Sequence, residues 1–143
     1  MTQAPWFYWA LLSAAFAALT AVLAKLGVKS VDSDLATLLR TFVIAIALGA
    51  VVYAQGKWSN PLRLRPSTLA YLILSGLATG ASWFCYFRAL KLGEASKVAP
   101  IDKLSVVLVA LFAVLFLSER PTARDWLGIA LVSIGAVVLG LKA

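Results

Sequence analysis

Long apolar runs alternate with short polar connections along this chain. Five of the runs are long enough to cross a bilayer as helices, which takes about 20 residues. The first runs from about Trp6 to Lys25, and Trp6, Tyr8 and Trp9 at its head read as an interfacial aromatic belt. No Lys or Arg precedes it, whereas a secretory signal opens on a basic segment, so the run is expected to stay in place as a helix. Gly27 to Ser33 turns the chain, and Ser33 or Asp34 is placed to cap a second span over 35–54. The longest connection, 55–66, holds the breakers Gly56, Pro61 and Pro66 together with Lys57, Arg63 and Arg65. A third span is expected over 67–90, a fourth over 97–117 capped by Ser96, and a fifth over 125–141. The pattern predicts an all-α polytopic membrane protein, one five-helix domain over residues 1–143.

Composition sharpens that reading. Hydrophobic residues make up 62% of the chain, charged ones 13%, and the mean hydropathy is +0.93. A soluble domain carries about a quarter charged residues, and a disordered chain needs low hydrophobicity, so both classes are excluded. The net charge of +7 sits on basic residues scattered through the connections, as membrane loops carry it, and is not read as nucleic-acid binding. Cys85 stands alone, so no internal disulfide is available, and with no His a zinc site lacks ligands. No cofactor is expected. Paired carboxylates at useful spacing and a phosphate-cradling glycine loop are both missing, so the chain does not read as an enzyme.

Five spans place the two ends of the chain on opposite sides. The N-terminal side receives Lys57, Arg63, Arg65, Arg120 and Arg124; the other receives Lys25, Lys29, Arg88, Lys91, Lys97 and Lys142, with Arg40 and Lys103 deeper toward it. Orientation follows a clear asymmetry of loop charge, and this count is nearly balanced. Such a chain is expected to insert both ways up and to pair with an inverted copy. That antiparallel homodimer is the two-chain counterpart of the inverted repeats of transporters. A fixed orientation, with the C-terminal side cytoplasmic, is the competing expectation.

The residues 87–96, Phe-Arg-Ala-Leu-Lys-Leu-Gly-Glu-Ala-Ser, followed by Val98-Ala99-Pro100, resemble the turn between the third and fourth helices of EamA-type domains of the drug/metabolite transporter superfamily. Phe116-Leu117-Ser118-Glu119-Arg120-Pro121 and then Leu127-Gly128-Ile129-Ala130-Leu131 with Gly135 carry the same resemblance, and Arg40 matches a position where such domains often hold Arg. The likeness covers nearly the whole chain. It implies half of a ten-helix transporter in a bacterial or archaeal inner membrane, completed by a second, antiparallel copy. The four-helix small multidrug resistance proteins depend on a Glu embedded in the first helix, and this first span has no acidic residue. A lipophilic-cation exporter of that kind, or a non-transporting accessory subunit, are the alternatives.

Charges inside a bilayer cost several kcal/mol each unless paired or wet. Arg40, Asp102 and Lys103 are therefore the candidate cavity charges, with Trp83 and Tyr86 as walls for a small polar solute. Asp102 is the acid available for proton coupling. Asp102 and Lys103 are neighbours whose side chains diverge by about 100° on an ideal helix. Asp102 is expected to meet Arg40 or Lys25 instead, leaving Lys103 uncompensated. Lys25 and Arg88, at span ends, read as chains snorkelling to headgroups. Gly76 and Gly80 form a G-x-x-x-G pattern, and Ala136 and Gly140 a small-residue stripe, both expected to serve helix packing or dimer contact.

Overall fold

In a computed structural model, residues 5–60 and 63–141 are described. The breaker Pro61 and the charge on Lys142 lie outside the described residues. The described chain is helical: α1 (Pro5–Gly27), α2 (Ser33–Ala54), α3 (Pro66–Leu92), α4 (Ala95–Asp102), α5 (Ser105–Phe116) and α6 (Ala123–Gly140). Taking α4 and α5 as one span, five helices of 18 to 27 residues are long and apolar enough to cross a membrane.

Capping chemistry explains the ends. Asp32 caps α2, accepting from the amides of Asp34 (2.9 Å) and Leu35 (3.4 Å), where the sequence points to Ser33 or Asp34. All three residues are good cap formers, but Asp32 alone has the extended backbone a cap requires. At the other end, Gly56 takes φ +64°, and the Gly56 and Lys57 amides return to the Tyr53 and Val52 carbonyls at 2.9 and 3.1 Å. That is a complete Schellman closure, which a residue without Cβ adopts at little cost. α6 opens on a reciprocal box between Thr122 and Asp125. α4 starts from Glu94, which makes no side-chain cap, rather than from Ser96; the Glu94 carbonyl takes up the Lys97 and Val98 amides.

Where the apolar pattern predicts one unbroken fourth helix over 97–117, the structure has two pieces. Pro100 supplies no amide hydrogen to the helical ladder. Past it the bonding tightens: the amides of Lys103 and Leu104 reach Pro100 and Ile101, and those of Val106 and Val107 reach Lys103 and Leu104, all three residues back at 3.0–3.1 Å. Such tight turns inside a helix mark a local break in the ladder.

The chain divides into two compact units, residues 24–91 and residues 1–23 with 92–143. In the first, the buried side chains are Ala24, Val28, Ser33, Phe87 and Leu90, at the end of α1, the start of α2 and the end of α3. In the second, α6 packs on α4 and α5. Ala110, Ala113 and Ala136 are buried there. Their small side chains let helices approach closely, the usual basis of helix association in lipid.

Candidate functional site

In the unit 24–91, α2 carries Arg40 seven residues after its start, about 10 Å along the axis at 1.5 Å per residue. Trp83 and Phe87 are one helical turn apart on α3 and share a face. Arg40 lies over both, its guanidinium carbon 4.4 Å from the Trp83 ring centre and 5.3 Å from that of Phe87. Tyr86 stands edge-on to Phe87, ring centres 6.4 Å apart. Contacts of a cation with an aromatic face contribute about 0.5 kcal/mol when exposed and about 2 when desolvated. The two carboxylates of this unit are occupied: Asp32 caps α2, and Asp34 binds Arg88. Arg40 therefore has rings behind it and, within its unit, no anion in front.

The charged residues at the ends of these helices behave differently from the expectation of snorkelling. Arg88 grips Asp34 through two parallel bonds, Nη2 to Oδ2 at 2.9 Å and Nε to Oδ1 at 3.2 Å, and lies over the Phe84 ring at 4.1 Å. Lys25 Nζ donates to the Leu90 carbonyl at 2.6 Å, and Lys91 Nζ to the Val31 carbonyl at 3.1 Å. The last carbonyls of a helix have no partner in the ladder, so a lysine or arginine within reach binds them or a nearby carboxylate before it reaches for lipid.

The second unit holds the other two candidate charges. Lys103 Nζ lies 3.3 Å from Asp102 Oδ2. The expected divergence of neighbouring side chains fails here, where α4 ends at Asp102 and Lys103, its C-cap, turns its amide to the Pro100 carbonyl three residues back. Lys103 is thus compensated. Asp102 is half-buried and Lys103 exposed. Ala136 is buried, and a Cβ on Gly140 would collide with the Ile101 side chain of α4. By contrast, Cβ atoms on Gly76 and Gly80 would meet nothing within 4 Å.

Two features escape the sequence reading. Phe87 is a second platform for Arg40, signalled by its four-residue spacing from Trp83. The Asp34–Arg88 pair joins residues 54 apart in the chain, and no local pattern announces it.

Comparison with known proteins agrees with this architecture. The chain is 57% identical over 136 residues to an uncharacterized transporter in the cobO 3' region of a Sinorhizobium species, covering 95% of this chain and 96% of that one. It is 31% identical over 83 residues to the probable 4-amino-4-deoxy-L-arabinose-phosphoundecaprenol flippase subunit ArnE of Yersinia pestis, covering 57% of this chain and 73% of the relative. The ArnE of Yersinia pseudotuberculosis matches to the same extent. No solved structure matches significantly. The EamA-like transporter family matches residues 4–141, and the chain is a multi-pass membrane protein belonging to that family of transporters.

Proposed function

We propose that this chain is one half of a secondary transporter for a small anionic or zwitterionic metabolite, and that two copies in opposite orientations form the working unit in a bacterial or archaeal inner membrane. Five helices are few to enclose both a solute and its gates, and alternating access by rocking of two inverted halves needs the second copy. The observation that carries the substrate class is Arg40. A guanidinium offers only donors, its rings fix its plane, and no carboxylate of its unit neutralises it. A carboxylate on the solute supplies the missing charge. Trp83 and Tyr86 serve as wall, and Asp102 as the proton-coupling acid.

A thermal-shift screen of purified protein against amino acids, organic anions and organic cations tests this. Compounds bearing a carboxylate are expected to raise the melting temperature, and Arg40→Gln to remove the shift while the unliganded melt stays near that of the parent. Stabilisation by cations alone, or a shift that survives Arg40→Gln, refutes the assignment.

One observation favours a second reading. The Yersinia relatives are named as a subunit of a flippase for a lipid-linked amino sugar. On that reading this chain pairs with a different membrane protein and is not sufficient for transport alone.

A further inference from the structure

Between α5 and α6 lies an open cavity of about 400 Å³, within the range of about 300–1,000 Å³ common for small-ligand pockets. It stands apart from the charges considered above. Its floor is apolar and consists of Val106, Val109, Ala110 and Ala113 on α5 and Ile129 on α6. Its mouth is charged, with Glu119, Arg120 and Asp125 at the connection between the two helices. The floor lies within the spans, and Glu119 and Arg120 lie beyond the end of α5. Apolar depth and charged mouth therefore follow the same order as the layers of a bilayer leaflet.

The charges at the mouth are unusual in what they leave open. Among the described residues, neither Glu119 nor Arg120 forms an ion pair. Asp125 gives Oδ2 to the Thr122 amide (2.7 Å) and hydroxyl (2.8 Å), which leaves Oδ1. Two carboxylates and one guanidinium thus face a common opening. A ligand complementary to them carries an ammonium for the carboxylates, a phosphate for the guanidinium, and an apolar tail for the floor.

We infer that this cavity is a binding site for a bilayer phospholipid with a primary ammonium headgroup, phosphatidylethanolamine. Its ammonium donates to Glu119 and to Asp125 Oδ1, its phosphate accepts from Arg120, and an acyl chain lies along Ala110 and Ala113. Phosphatidylcholine offers the same phosphate but no N–H donor. Phosphatidylglycerol offers the same phosphate to Arg120 but no ammonium for the two carboxylates. The inference does not depend on which solute is carried.

The test is native mass spectrometry of the purified protein exchanged into mixed micelles containing the three lipids in equal amounts. Phosphatidylethanolamine is expected to be retained in excess over both others. Glu119→Gln should lose the excess over phosphatidylcholine and raise the share of phosphatidylglycerol. Arg120→Gln should lower retention of all three. Lys57→Gln, on a different connection, should leave the order unchanged. Equal retention by the parent protein means ordinary surrounding lipid only and overturns the proposal, as does a parent preference that persists in both the Glu119 and Arg120 variants. Gel-filtration profiles matching the parent show that each variant has kept its assembly.

Discussion

Asp102 and Arg40 show how differently a charge inside a membrane span is handled from one residue to the next. Arg40 rests on two rings and lacks a carboxylate within its unit, whereas Asp102 holds the ammonium of its own neighbour at 3.3 Å. On the proposed mechanism Asp102 is the coupling acid, because among the described residues no other acid lies in the interior of a span. Asn preserves the shape of Asp102 and removes its charge. Asp102→Asn is therefore expected to abolish uptake driven by a proton gradient in liposomes, using a compound selected by thermal shift, while leaving the gel-filtration profile intact. Uptake at the parent rate would remove Asp102 from the mechanism. Position alone marks both residues in the sequence, since ionisable side chains within apolar runs are rare. Their partners were not legible. The pairing of Asp102 with Lys103 depends on the helix ending there, and that of Asp34 with Arg88 depends on two helix ends meeting.

Helix ends are also where the elements carry their strain. Ser118 follows the end of α5 at φ +55°, the left-handed region that favours glycine. The Leu117 and Glu119 amides on either side of it both close on the Ala113 carbonyl, at 3.0 and 3.1 Å. A side chain there costs about 1–2 kcal/mol, and glycine returns about 0.5–1 kcal/mol of that as extra freedom in the unfolded chain. Ser118→Gly should accordingly raise the melting temperature slightly; a lowered melt would mean that the serine makes a compensating contact. The spans themselves were plain in the sequence, because length and apolarity suffice to mark a helix in lipid, where backbone groups must be satisfied internally. The division of the fourth span was not. The apolar run from Val106 to Leu117 is continuous, and a single Pro100 within the first piece does not say where the ladder loosens. The cap of α2 was ambiguous for a simpler reason: Asp32, Ser33 and Asp34 are consecutive and chemically alike in this role.

For the whole molecule, the question is whether this chain meets its own copy or another protein. Most apolar side chains along the spans are exposed, Ile46 to 72% and Leu115 to 71%, and lipid or a second chain covers that surface. Shape alone does not choose between the two. Loop charge does, because it decides which way up the chain inserts. If two inverted copies pair, as proposed, the nearly equal basic residues on the two sides leave insertion poised, and a small change in charge should tip it. A dedicated subunit has no use for that poise, since its partner needs one orientation. Reporters fused to the C-terminus, one active only in the cytoplasm and one only outside it, are therefore expected to give comparable signals. Removing positive charge from one side with Arg120→Gln and Arg124→Gln together should then drive the C-terminus to a single location. A single location already in the parent chain would point to a fixed partner, as the flippase-subunit name of the Yersinia relatives allows, and would end the case for an inverted pair.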